Sequence, residues 1–149
     1  MTPIQRRLGD SSGFTLVELL VVITIIGILA SIGLAAFLHQ RSKAEDSAAK
    51  SAVSTAAKAM LTWHTDHDSF VGATPPELIK VEPSLASAPG LAVVAGVANF
   101  KVSVDSLAGV SGGGTFSIEH QVTGSTVRDC TNPGSGGCSD TPDGQGNRW

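Results

Sequence analysis

No charged residue occurs between Leu19 and Leu38, and within that run only Thr24 and Ser31 carry polar side chains. The 42% hydrophobic and 15% charged averages over 149 residues therefore conceal two unlike parts. Outside the run the chain is polar and rich in Gly, Ser, Thr and Ala, so the core of any folded head is small and needs further support. No basic patch is present, Lys101 and Arg128 stand isolated, and the net charge is −3; specific nucleic-acid binding is not expected. No long acidic run suggests a disordered tail, and no internal repeat is evident.

Cysteine is scarce. Cys130 and Cys138 enclose Thr-Asn-Pro-Gly-Ser-Gly-Gly, a spacer too flexible for a helix and without the ligand spacing of a zinc site. Two unrelated free thiols are one reading. A disulfide closing a surface loop is the better one, and it requires an oxidising compartment. Catalytic signatures are also missing. Gly112-Gly113-Gly114 lacks the phosphate-loop pattern and joins apparent strands. No nucleophile–base pair emerges around the four histidines, so an enzyme is not expected. His64, His67 and Asp68 have no general-base Glu in the zincin position and no further ligand cluster. Neither a metal nor a cofactor is implied.

The uncharged run itself is informative. At 1.5 Å per residue its helix spans about 30 Å, the thickness of a bilayer core. Arg6 and Arg7 before it favour a cytoplasmic start and an exported remainder. A secretory signal peptide, a plain signal anchor and a buried core helix are the simpler readings, but none accounts for Glu18 at the head of the run. A carboxylate there is costly unless it reaches water at the membrane edge or meets a partner.

Gly13-Phe14-Thr15-Leu16-Val17-Glu18-Leu19, followed by an uncharged helix, resembles the class III signal of type IV prepilins and pseudopilins. The resemblance implies an α+β pilin fold, with a long N-terminal helix, half of it transmembrane, packed on a small antiparallel sheet. It implies that a prepilin peptidase cuts between Gly13 and Phe14 and N-methylates the new Phe14 amine. It further implies that Glu18 of one subunit meets the Phe14 amine of a neighbour, setting the axial register of a helical homopolymer raised by the pilus assembly machinery. The precursor would sit as a single-pass protein in the cytoplasmic membrane, and the mature chain in an extracellular filament. Many major pilins have a proline where Gly33-Leu34-Ala35 stands here. Gly27 and Gly33, each about 1 kcal/mol less helix-favouring than Ala, are the available soft points, and they equally permit close helix packing.

The expected organisation is a leader over 1–13, a transmembrane and assembly half-helix over 14–38, an amphipathic half-helix over 39–70, and a head over 71–149. Ala49, Ala52, Val53, Ala56, Met60 and Trp63 mark one apolar helical face, with Lys43, Glu45, Asp46, Lys50 and Lys58 assigned mostly off it. Helix from Phe14 to Asp68 would extend about 80 Å. Residues 71–90, with four prolines, form a connection with a helical turn near Glu77 to Lys80. Strands are expected in Leu91 to Ala98, through Phe100, Val102 and Val104, through Phe116 and Ile118, and around Val127. The tail from Thr141 is expected to be loose, with Trp149 tucked against the sheet, and the disulfide and glycine-rich loops to serve head-to-head contact.

The function expected is that of a type IV pilus subunit. The alternatives are a pseudopilin of a type II secretion or DNA-uptake system, a membrane-anchored binding module that never polymerises, and a secreted enzyme with an ordinary signal peptide.

Overall fold

A computed structural model describes residues 13–149; most of the expected leader, residues 1–12, lies outside them. The chain divides after Ala36 into two units.

In the first unit, residues 13–15 are non-helical and α1 begins at Leu16; its assignment runs Leu16–His67. The apolar side chains up to Leu34 are exposed around the whole helix. A helix apolar on every side requires lipid or other helices around it. It contains a stretch of mean hydropathy 2.7, long and apolar enough to cross a membrane.

The second unit starts at Phe37 and contains the rest of α1 and the head. Ala49, Val53, Ala56 and Met60 recur at spacings of four, three and four, and all are buried. The alanines bring this helical face close to the sheet. The helix stops at His67, and Asp68 takes a positive φ of 51°, a left-handed turn that the short side chain of Asp tolerates. The connection holds α2, Pro75–Val81, with prolines at its first positions, and a 3₁₀ turn, Pro83–Ser87. Each contributes one buried leucine, Leu78 and Leu85.

Four strands follow: β1 (Ala92–Ala95), β2 (Phe100–Asp105), β3 (Thr115–His120) and β4 (Thr126–Cys130). They form an antiparallel meander in chain order. Val102 faces Ile118, and Phe116 faces Cys130, across the ladders. The alternation read from β2 is the observed one: Phe100, Val102 and Val104 are buried while Lys101 and Asp105 are exposed. Strand β1 ends earlier than its apolar run because Gly96 donates to the Asn99 carbonyl at 2.8 Å, turning the chain into β2. The core is this inner sheet face against the alanine face of α1, with Phe70, Leu78 and Leu85 closing the margin. Full burial of a Val, Leu, Met or Phe contributes about 1.5–3 kcal/mol each.

Two expectations are corrected. Asp46, assigned off the apolar face, is 1% exposed, and Lys50 is half-buried. Both lie on the side of α1 that meets the loops, where hydrogen-bonding groups await them. The tail is not loose. Arg148 donates its amide to the Arg128 carbonyl at 2.9 Å, and Ser139 donates to the Arg148 carbonyl at 2.8 Å. The tail therefore covers the free edge of β4 and satisfies backbone groups that the edge would leave unpaired.

Candidate functional site

Gly13 and Phe14 precede the helix, and Phe14 is 90% exposed. The bond between them lies in exposed, non-helical backbone. A Cβ on Gly13 would meet nothing within 4 Å. Any requirement for glycine there arises from a partner and not from this chain. The same open space surrounds Gly27 and Gly33.

Thr15 and Glu18 close the start of α1 reciprocally. The Thr15 amide donates to Glu18 Oε2 at 2.9 Å, and the Glu18 amide donates to Thr15 Oγ1 at 3.2 Å. The Thr15 hydroxyl also donates to Glu18 Oε2, at 2.8 Å. This is a capping box, with Thr as the cap and Glu three residues on. The spacing Thr15-Leu16-Val17-Glu18 is itself the sequence signature of this box. A carboxylate engaged with its own helix terminus and the positive end of the dipole is locally satisfied before any neighbour arrives.

The head carries a second constellation. Asp46 Oδ2 accepts from the Gly113 amide at 2.9 Å and from the Gly137 amide at 2.6 Å, while Oδ1 accepts from the Ser106 hydroxyl at 2.5 Å. One turn earlier, Ser42 Oγ donates to the Ser111 carbonyl at 2.9 Å. One turn later, Lys50 Nζ donates to the Gly137 carbonyl at 2.6 Å. Burial pushes the Lys50 amine below its ordinary pKa, and the Asp46 charge partly offsets this. Residues 42, 46 and 50 thus form one helical row binding the β2–β3 loop and the loop after β4. Cys130 and Cys138 are joined, with Cα atoms 5.8 Å apart, so the second loop is covalently closed where Asp46 and Lys50 hold it.

Two of the loop glycines show why no side chain fits here. A Cβ on Gly113 would overlap the Phe116 ring, and one on Gly136, at φ 53°, would overlap Asp46. Gly112 and Gly113 are therefore buried against their own helix, which removes them from the surface proposed for head-to-head contact; Pro133 and Gly134 remain exposed.

Three of the four histidines lie against aromatic rings. Trp63 and His67 stack with centroids 3.8 Å apart, His64 lies 4.5 Å from Phe70, and His120 stacks on Phe100 at 5.3 Å. Among the described residues no group of three His, Cys, Asp or Glu side chains gathers as a metal site.

Residues 9–34 match the protein family described as the prokaryotic N-terminal methylation motif, the class III signal of type IV pilins and pseudopilins. No curated protein matches the chain.

Proposed function

We propose that this chain, which carries the class III signal at the head of an apolar helix, is a structural subunit of a type IV pilus. The observation that carries the reading is the match over residues 9–34 at the start of a helix whose apolar side chains are exposed all round. Such a helix suits two successive environments, a bilayer and then a bundle of like helices. The small α+β head packed on the later part of α1 is consistent with the pilin fold.

In this reading the peptidase cuts the exposed Gly13–Phe14 bond and methylates the Phe14 amine. The amine stays cationic, so the Glu18 carboxylate of a neighbour can pair with it in a medium where few other charges are available. Glu18 then exchanges its contacts with Thr15 for the neighbour's amine. The exchange delays pairing until subunits are in register, because the carboxylate is already satisfied in the single subunit. The closed Cys130–Cys138 loop supports a head that works outside the cytoplasm and favours a surface pilus over a pseudopilus.

The experiment is to shear cells that express the chain and image the released material. Long fibres containing this subunit, lost with Glu18→Ala, are expected. A chain confined to the membrane fraction, with no fibre of any length, contradicts the reading.

A further inference from the structure

We propose that the groove between α1 and the start of β4 receives the end of α1 from a second copy of the chain, Lys58 and Arg128 pairing with Asp66 and Asp68 of that copy. The proposal rests on the filament reading above and concerns only the head and the part of α1 packed on it.

The groove comes from a mismatch between helix and sheet. Arg128 stands opposite Ile118, and Ile118 opposite Val102, so all three project from the inner face. Val102 and Ile118 are buried, while Arg128 and its neighbour on that face, Thr126, are exposed. The helix covers β2 and β3 and leaves the start of β4 open. Lys58, Leu61, Phe100, Ile118 and Arg128 line the resulting groove of about 200 Å³. Phe100 and Ile118 are the buried part of this lining, and Leu61, on the helix, is 50% exposed.

The two cations lack acids. The Arg128 guanidinium is held over the Trp149 ring, 5.6 Å from its centroid, so its position does not depend on a carboxylate. Among the described residues neither Lys58 nor Arg128 has a carboxylate within 4.0 Å. Beyond α1 the other cations have acids at hand. Lys80 meets Glu77 at 2.7 Å, Arg148 meets Asp129 at 3.3 Å, and Lys101 stands opposite Glu119. Like charges lining one groove repel, and an anionic occupant relieves the repulsion.

The chain carries a matching surface. Asp66 lies in the last turn of α1 and Asp68 just beyond it, both exposed. Neither has an ion-pair partner among the described residues. The end of a helix is the negative end of its dipole, so acids there are disfavoured until a cation approaches. Val71, 56% exposed, follows on the same turn of chain. Two carboxylates and a valine thus complement two cations and an apolar lining.

Helix rise keeps the two surfaces of one subunit apart. Lys58 and Asp66 are separated by about 12 Å along the axis of α1. They are also different surfaces, so a docked copy still has its own groove free for a third. A contact of this kind repeats without closing, as a filament requires.

The test counts fibres on cells that express the full chain. Lys58→Glu with Arg128→Glu, and separately Asp66→Lys with Asp68→Lys, are each expected to lower the count at least about tenfold, because like charges then face each other across the contact. The chain with all four substitutions has the pairing reversed, and its count is expected to return to within about twofold of the unsubstituted chain. That recovery also shows that the substituted heads fold. Counts unchanged by either pair of substitutions, or no recovery with all four, overturn the proposal and leave the pilus reading standing. Loss on reversing the groove, with Asp66 and Asp68 indifferent, assigns the groove to a different acidic partner and overturns it too. Absence of fibres from the unsubstituted chain overturns both.

Discussion

Asp46, midway along the helix, accepts the backbone amide of Gly137 at 2.6 Å, inside the loop that the disulfide closes. The same carboxylate oxygen accepts the amide of Gly113. One helical side chain therefore fixes two loops separated by the whole of β3 and β4. In a head with a small core, such polar ties take over part of the work of apolar burial.

Asp46→Ala leaves two amide donors without their acceptor in a site with little water. A loss of about 2–4 kcal/mol is expected, from the cost of unsatisfied buried groups. Denaturant unfolding of the detergent-solubilised chain measures it. A loss under about 0.5 kcal/mol, the size of an ordinary surface change, would show that the carboxylate is not a structural tie.

Reduction of Cys130–Cys138 frees a short loop in the unfolded chain. Loop entropy puts the loss at about 2.5 kcal/mol. Since Gly137 sits within that loop, reduction is expected to weaken the Asp46 contact as well, so that Asp46→Ala costs less in the reduced protein than in the oxidised one. Unfolding curves of both proteins with and without reductant form the cycle that reads this coupling.

The tail responds to acid. The Asn147 side chain, then the Asn147 and Gln145 amides, hold the Asp143 carboxyl below its ordinary value of 3.8. A depressed folded pKa means that the contribution is complete above about pH 4 and is lost as pH falls through the folded value. The Asp143 turn should thus loosen only in strong acid, visible as loss of protection of the Asn147 amide. Asp143→Asn should remove that step from the acid profile.

The cap that Glu18 forms and the assembly role proposed for it are separable by mutation. Thr15→Ala removes the hydroxyl from the capping box at a cost of about 1 kcal/mol to the helix start, but leaves a carboxylate for the neighbour. Filaments are expected to persist in Thr15→Ala and to vanish in Glu18→Ala, as scored by fibre counts on cells. Equal loss in both would reduce Glu18 to a cap.

The sequence was most legible where side-chain pattern alone decides the outcome. The alternation Phe100-Lys101-Val102-Ser103-Val104 places β2 and its buried face, and Ala49, Val53, Ala56 and Met60 place the helical face that covers it. Asp46 was misread because a carboxylate on a helix is ordinarily solvated, and its partners are backbone amides of distant glycines that carry no side-chain signature. Its position three residues before Ala49 and seven before Val53 was the available signal. The ordered tail was misread for a similar reason: Gly- and Asn-rich composition suggests mobility, yet Asn147, Arg148 and Trp149 each find partners along β4, the last through an indole bond to the Asp129 carbonyl at 2.9 Å. At the N-terminus, Gly13, Phe14 and Glu18 are legible as a motif, and Thr15-Leu16-Val17-Glu18 carries the capping-box spacing as well.

The most direct test of the central claim, that the mature chain begins at Phe14, is intact-mass and N-terminal analysis of the protein from sheared surface material. A chain starting at Phe14 with one added methyl group, and with Cys130 and Cys138 oxidised, is the predicted result. A chain starting beyond Ala36, or one that retains Met1 to Gly13, would contradict it.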